Sequence, residues 1–292
     1  MAATAVLPQV ASADEAGATI TPFGIGDFGA GQSPPHTPYG TWSFSATYYS
    51  ASYLTGGDGE RLATDFQIDV KSVSLAFIYM TDVKFLDATL GFGTVIPVME
   101  IGGHVSTPIG MLSNTDAGLG DIQFLPIIMQ WDFSQNWFAN VSLQVQAPTG
   151  QYNTTDAFTA GVNHWSIAPA AAFTYISDGG FEVSSRIELG FNTRNPTTDH
   201  TSGIGYKQEY AVGQHFGPWT VGVGGYAYWQ LTDDKNPAAP GEGNRGRVFA
   251  AGPAITYFEP GKPLVGFHAY QEFGARNRSE GVNFGLRVSV TF

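Results

Sequence analysis

Residues 181–192 have the sequence FEVSSRIELGFN, in which apolar and polar side chains alternate. The apolar set comprises Phe181, Val183, Ile187, Leu189 and Phe191. The polar set comprises Glu182, Ser184, Arg186, Glu188 and Asn192. A period of two predicts a β-strand with two different faces. Burying two carboxylates and a guanidinium in a dry core costs several kcal/mol for each unpaired ion, so we expect the polar face to line a hydrated interior.

The same alternation recurs along the chain from Trp42 onward, broken by clusters of turn-forming residues. It predicts about twelve strands, at residues 41–52, 66–80, 88–101, 121–133, 137–147, 164–176, 181–192, 203–216, 219–231, 247–258, 264–276 and 282–292. Short connections such as 134–136 and 217–218 alternate with long ones such as 53–65 and 148–163. This pattern predicts an all-β fold, a closed antiparallel transmembrane β-barrel with short periplasmic turns and longer extracellular loops.

Aromatic residues on the apolar faces indicate that these faces meet lipid. Three strands carry aromatic pairs ten positions apart, namely Trp165 and Tyr175, Phe181 and Phe191, and Trp219 and Trp229. Ten residues extend about 33 Å, and a strand tilted by about 40° then spans roughly 25 Å, the height of the apolar band between the aromatic girdles of a barrel. The last strand alternates up to Phe292, and such an aromatic terminus resembles the signal read by the outer-membrane assembly machinery. We therefore expect the outer membrane of a Gram-negative bacterium.

Composition narrows the possible functions. Of 292 residues 13% are charged, cysteine is absent and the formal net charge is −12. The acidic balance disfavours a nucleic-acid partner, and the lack of cysteine excludes thiol nucleophiles and thiolate metal sites.

The chain divides into three segments. The apolar run before Ala11-Ser12-Ala13 predicts that residues 1–13 are a signal-peptide remnant, the alternative being a disordered Ala-rich terminus. Residues 14–40 are an irregular Gly/Pro-rich segment that could plug the lumen, and residues 41–292 are the barrel.

Several short motifs resemble those of the phenol-degradation meta-pathway family of outer-membrane proteins. They include residues 118–122 (GLGDI), 148–150 (PTG), 163–165 (NHW), 230–234 (QLTDD) and 277–278 (NR). The resemblance is good over residues 118–292 and only general before them. It implies a monomeric twelve-stranded barrel associated with uptake of small, often hydrophobic or aromatic compounds.

The predicted inner wall carries charges of both signs together with tyrosines. Its candidate constriction residues are Glu182, Arg186, Glu188, Lys207, Glu209, His215, Tyr226, Tyr228, His268, Tyr270, Glu272, Arg276 and Arg287. A strong ring of one charge, which would enforce ion selectivity, is not evident. The set is expected to form a narrow polar constriction, an ion-pair network that stiffens the barrel, or both.

An apolar loop at residues 102–120 suggests an entrance for hydrophobic molecules. The candidate entrance residues are Ile109, Met111 and Leu112 in the loop and Leu125, Ile127 and Met129 on the predicted inner face of the next strand. Packing of loop against loop is the alternative.

Pro126, Pro169 and Pro253 fall inside predicted strands, where a proline removes a ladder hydrogen bond. They predict either bulges that curve the barrel or a weakened seam for lateral exit.

These features favour a passive channel for small hydrophobic or aromatic compounds, with membrane lipids and solutes as its partners. No catalytic residue, metal site or cofactor is predicted. The alternatives are a barrel with an occluded lumen whose loops serve a structural or adhesive role and an outer-membrane phospholipase. The phospholipase needs a serine and a histidine paired on the lipid-facing wall, and none of the six histidines is placed for this.

Overall fold

In the computed structural model, residues 22–24, 26–108, 110–235 and 245–292 are described. They form a single sheet of thirteen antiparallel strands. The strands are β1 (Thr41–Leu54), β2 (Phe66–Phe85), β3 (Ala88–Thr107), β4 (Gly110–Leu119), β5 (Gln123–Asp132), β6 (Trp137–Gln146), β7 (Ser166–Ile176), β8 (Phe181–Asn192), β9 (Gly205–Phe216), β10 (Trp219–Gln230), β11 (Arg247–Tyr257), β12 (Leu264–Arg276) and β13 (Ser279–Thr291). In these ranges no helix is long and apolar enough to cross a membrane.

The sheet closes on itself. The first strand pairs with both β2 and β13, and its ladder with β13 starts at Thr41↔Thr291 and continues to Ala51↔Gly281. Twelve strands form the ring, and β4 is an additional strand that pairs with β3 alone. Closure gives every strand of the ring two neighbours, as the lipid environment requires. The predicted closed barrel of twelve antiparallel strands is confirmed.

The region 102–120 differs from its prediction as a loop. The third strand continues to Thr107 and turns back as β4, and the two strands form a hairpin. The apolar residues that suggested an entrance alternate with polar ones, and Val105 pairs with Leu112 on the inner side of this hairpin. The alternation is that of a strand, although Gly102-Gly103 interrupts the apolar pattern. The second strand is also longer than predicted and extends to Phe85.

The aromatic girdles lie on the outer surface. Trp165, Phe181, Phe191 and Trp219 are all exposed there, while Glu182 and Glu188 between the girdle residues of β8 are buried on the inside. The alternation of residues 181–192 therefore separates the lipid-facing side from the lumen, as predicted.

A bulge at Pro126 changes the register of β5. Between the pairs Gly91↔Ile128 and Gly93↔Leu125, two residues of β5 lie opposite one residue of β3. Such an extra residue shifts the alternation of faces by one position. Leu125 and Ile128 are consequently buried, whereas Ile127 is exposed and Met129, which follows Ile128, also points outward. The predicted inward orientation of Ile127 and Met129 is wrong for this reason.

Pro169 and Pro253 leave the register unchanged. On either side of Pro169 the β7–β8 ladder pairs Ile167 with Phe191 and then Ala170 with Glu188, so the ladder is interrupted without a bulge. The β11–β12 ladder skips Pro253 in the same way. The bulge hypothesis therefore holds at one of the three prolines.

A second irregularity affects β12. Gly274 has a φ of 66°, and the register of β12 with β11 shifts at this point. The shift leaves Arg276 exposed on the outside. Its predicted place on the lumen wall is therefore wrong.

A tyrosine on the outer face spans three strands. Tyr210 lies on the outer side of β9, and its hydroxyl donates to the carbonyl oxygen of Ala250, 2.9 Å away. Between them lies Gly225, where a Cβ atom would be 2.0 Å from the Ala250 oxygen and 2.7 Å from the Tyr210 hydroxyl. The glycine therefore lets the tyrosine lie against the barrel wall, an arrangement that helps to fix register.

We predict that Gly225→Ala destabilises the barrel by about 1–3 kcal/mol, the usual cost of overpacking. The measurement is the temperature at which the folded band converts to the unfolded band in SDS electrophoresis. Gly190→Ala is the matched control, since its added Cβ meets only the Gly205 oxygen at 3.9 Å. Equal transition temperatures for the two variants would contradict the role assigned to Gly225.

Candidate functional site in the barrel lumen

Eleven of the thirteen candidate constriction residues lie on the inner wall. Nine of them are buried and two arginines are half-buried. The set comprises Glu182, Arg186, Glu188, Lys207, Glu209, Tyr226, Tyr228, His268, Tyr270, Glu272 and Arg287. His215, also half-buried, joins them through a contact with Glu182. Alternate positions of β8, β9, β10, β12 and β13 bring these side chains into one interior.

Opposite charges on β8 and β9 are paired. Glu188 accepts from the Arg186 guanidinium at 3.2 Å and lies 3.4 Å from the Lys207 ammonium. The Nε2 atom of His215 is 2.7 Å from a carboxylate oxygen of Glu182. Such pairing is needed because a buried charge without a partner is costly. This part of the wall is an ion-pair network with fixed side chains.

A third buried carboxylate, Glu272, is held by hydroxyl and amide donors. It accepts hydrogen bonds from the hydroxyls of Tyr49 and Tyr226 and from the backbone amide of Gly281, each at 2.8 Å. These donors come from β1, β10 and β13. The carboxylate therefore ties three strands together through the lumen.

The segment before β1 runs inside the barrel and binds this wall through its backbone. The amides of Gly24 and Gly26 donate to the two oxygens of Glu209, at 2.7 and 3.0 Å. The amide of Gly29 donates to Glu182 at 2.7 Å. Hydrogen bonds to a carboxylate are stronger than neutral ones. Two predicted constriction residues thus contact the chain's own N-terminal segment.

The segment also contacts the end of the barrel where the short turns lie. Gly31 donates to the Thr174 hydroxyl at 2.9 Å. The Gln130 side chain accepts from the Ser33 amide at 2.9 Å and donates to the Gly31 carbonyl at 3.1 Å. A Cβ on Gly31 would lie 2.3 Å from the Thr174 backbone nitrogen. Only glycine allows the segment to approach the wall so closely here.

Asp27 connects the segment to the part of the wall formed by β12. Its carboxylate lies 2.8 Å from Nδ1 of His268 and also accepts from the Tyr270 hydroxyl. The other ring nitrogen of His268 is 2.9 Å from the Asn283 side-chain oxygen. The segment is therefore bound to both sides of the lumen.

A small cavity of about 20 Å³ remains between the segment and the wall formed by β1, β12 and β13. It is lined by Gly24, Asp27, Ser45, Thr47, Gly266, His268, Gly285, Leu286 and Arg287. A cavity of this size has room for about one water molecule, so the segment fills most of this part of the lumen.

The six candidate entrance residues do not come together. Leu112 packs against Ala51, Phe66 and Val105 at the loop end of the barrel, whereas Leu125 packs against Met80 and Ile128. The remaining candidates are Met111, which is exposed, Ile127 and Met129, which point outward, and Ile109, which lies outside the described residues. The bulge in β5 and the β3–β4 hairpin separate the set.

An aspartate in one of the family-like motifs anchors the longest described loop over the mouth. One oxygen of Asp121 accepts from the Gly150 amide at 2.8 Å, and the other accepts from the Val162 amide at 2.8 Å and from the Gln146 side chain at 3.4 Å. The motifs GLGDI and PTG, far apart in sequence, therefore meet at one carboxylate. Loop 147–163 is fixed at both ends by it.

We predict that Asp121→Asn loosens loop 147–163, because an amide group replaces one acceptor and faces a backbone N–H. The expected loss is about 1–3 kcal/mol of anchoring, and the measurement is the rate of limited proteolysis within the loop. Asp156→Asn is the control, since Asp156 bonds only to Asn153 and Thr155 of the same loop in the structure. Equal cleavage rates in both variants would argue against the anchor.

A serine and a histidine do approach each other in the structure. Ser166 Oγ and His164 Nδ1 are 3.3 Å apart, but both residues are buried, and the serine hydroxyl donates to Asn192 at 2.7 Å. Ser166 is on the inner face of β7. Hydrolysis of membrane lipid would need such a pair on the lipid-facing wall.

A closed barrel with a lipid-facing outer surface and a polar interior defines an outer-membrane β-barrel. The chain belongs to the family described as putative MetA-pathway of phenol degradation, whose model matches residues 51–288. The family that the sequence motifs resembled is thereby confirmed. A search of curated proteins found no match.

Solved structures share the fold. The crystal structure of an outer-membrane channel from Pseudomonas putida F1 superposes with a TM-score of 0.73 at 16% identity, covering 89% of this chain and 100% of that one. The transport unit of the autotransporter AIDA-I from Escherichia coli has a TM-score of 0.52 at 10% identity, covering 89% and 93%. At these identities the likeness shows the outer-membrane barrel fold.

Proposed function

We propose that this protein is a passive channel for small hydrophobic or aromatic compounds in the outer membrane of a Gram-negative bacterium, and that a segment with residues 22–24 and 26–33 occludes its lumen. The observation that carries the proposal is the inner wall of β1 and β7. Several neighbouring inward side chains are small, namely Ser43, Ser45 and Thr47 on β1 and Ala168, Ala170 and Ala172 on β7. Without the segment these walls would enclose an open passage.

The contacts between the segment and the wall support the proposal that the segment can leave the lumen. Among the described residues, its polar contacts with the wall are hydrogen bonds and the contacts of Asp27, and it continues into β1 after Gly40. The wall carboxylates that bind it, Glu182 and Glu209, also have other polar neighbours, because the His215 ring contacts Glu182 and Arg186 lies opposite Glu209. These partners would limit the cost of leaving the carboxylates without the segment.

The proposed cargo follows from the family and from the chemistry of the interior. The family description names phenol degradation, and the lumen combines aromatic rings with hydrogen-bonding groups. Movement down a concentration gradient needs no energy source, so this role assigns no catalytic step to the protein.

We further propose that the protein works as a monomer surrounded by lipid, because its exposed outer face is apolar and aromatic.

We predict that deletion of residues 14–33 raises single-channel conductance severalfold in planar bilayers, because it empties the lumen while the linker and β1 remain. Heat-modified migration in SDS electrophoresis serves as the folding control. A folded deletion variant with unchanged conductance would refute the channel. It would support instead the alternative of a blocked barrel whose loops serve a structural or adhesive role.

We also predict that Glu209→Gln increases the frequency of channel opening about tenfold, since a neutral amide holds the Gly24 and Gly26 amides more weakly by about 1–2 kcal/mol. The matched control is Glu280→Gln, which removes a carboxylate that likewise accepts from a backbone amide, that of Ala275 at 2.9 Å, but touches no described residue of the segment. Equal opening frequencies of the two variants would contradict the role assigned to Glu209 in holding the segment.

A further inference from the structure

The ring of Phe23, near the end of the described segment, is enclosed by aromatic side chains of β10. It stacks on Tyr226 with 4.4 Å between centroids and 15° between planes. Tyr228 meets it edge-on at 5.9 Å and 75°. All three rings are buried. Both arrangements are favourable geometries for aromatic pairs, so this part of the lumen accommodates one aromatic ring.

Two cationic groups also lie over the ring. The Arg278 guanidinium carbon is 5.3 Å from the Phe23 centroid, and the Lys207 ammonium is 5.9 Å from it. A cation within about 6 Å of an aromatic face is attracted to the electrons of the ring. This attraction favours electron-rich rings over saturated ones of the same size.

A carboxylate accepts a hydrogen bond from the residue that follows Phe23. The amide of Gly24, the residue next to Phe23, donates to Glu209 at 2.7 Å. The wall therefore binds an aromatic ring and also a neutral hydrogen-bond donor, which the segment supplies from two successive residues. A phenol presents the same combination in one molecule.

The barrel holds these groups in place independently of the segment. The Tyr226 hydroxyl donates to Glu272 at 2.8 Å, and Lys207 lies 3.4 Å from Glu188. Arg278 is also packed over Tyr228, with its guanidinium carbon 5.2 Å from that ring. A site that is already organised loses little free energy when it binds a ligand.

We propose that Tyr226, Tyr228, Lys207, Arg278 and Glu209 form a binding site for a neutral monocyclic phenol, and that Phe23 occupies this site in the closed channel. The inference rests on the proposed function, because the site becomes accessible when the segment withdraws. A phenol places its ring on Tyr226 and donates its hydroxyl to Glu209 in place of the Gly24 amide. Solute and segment then compete for one site, and binding favours the open channel.

The chemistry of the site sets its preferences. Cyclohexanol has the hydroxyl but no aromatic ring, and toluene has the ring but no donor for Glu209. Benzoate would bring a second negative charge next to that carboxylate. All three are expected to bind more weakly than phenol.

The test is a saturation-transfer NMR titration of the detergent-solubilised full chain with phenol. Phe23→Ala vacates the site, so it is expected to bind phenol saturably and at least tenfold more tightly than the unaltered protein. Phe28→Ala is the matched control, because Phe28 is also a buried ring of the segment but packs against Gly213 of β9. This control retains Phe23 and is expected to bind phenol no more tightly than the unaltered protein does.

A second substitution locates the site. Adding Arg278→Gln to Phe23→Ala is expected to weaken phenol binding about three- to tenfold through the lost cation–π contact. The site is overturned when folded Phe23→Ala does not bind phenol, when it binds cyclohexanol equally well, or when Phe28→Ala binds phenol as tightly. Conductance of the 14–33 deletion separates the two proposals. An open deletion channel combined with absent phenol binding rejects the site and leaves the channel standing.

Discussion

The pairing of β1 with β13 is the interaction on which the rest of the molecule depends. In hydrocarbon an unpaired backbone amide or carbonyl costs several kcal/mol, and only a closed sheet satisfies all of them between strands. The ladder from Thr41↔Thr291 to Ala51↔Gly281 completes this closure. Once the sheet is a ring, alternate side chains must face either lipid or the lumen. The girdles and the charged interior are two results of this one constraint.

The interior then poses a second problem, since it is narrow and contains carboxylates that must be neutralised. Neighbouring strands supply some partners, as in the contacts of Glu188 with Arg186 and Lys207. The N-terminal segment supplies others through backbone amides, most directly at Glu209. Glycine suits this purpose because it has no side chain to separate its amide from the wall, and at Gly31 the wall is too close for any other residue.

The sequence alone allowed much of the barrel to be predicted. The period-two pattern located all twelve strands of the ring because lipid and lumen impose opposite demands on neighbouring residues. It failed at Ile127 and Met129, where the bulge at Pro126 shifts the alternation within a single strand. It also treated the β3–β4 hairpin as a loop, since Gly102 and Gly103 hide a pattern that is clear only once the two strands are paired.

The candidate site was predictable only in part. The inward residues of β8–β10 followed from periodicity, but their contacts with residues 22–33 did not, because the segment binds through its backbone and has no side-chain period. The recurrence of glycine at 24, 26, 29 and 31 was the available signal. Phe23 gave no signal at all, since a single phenylalanine in a Gly/Pro-rich stretch has no pattern to which it belongs.

The attachment of the segment to the barrel has a consequence for the solute concentrations to which the channel can respond. Two contacts anchor residues 34–40 at the barrel end: His36 lies 2.6 Å from the Met80 carbonyl oxygen, and the Gly40 carbonyl accepts from the Phe292 amide at 3.2 Å. In the proposed mechanism Phe23 is a tethered ligand, and a ligand on a short tether has an effective concentration in the millimolar range. A free solute would have to compete with that concentration, so the length of the tether would set the solute concentration at which the channel opens.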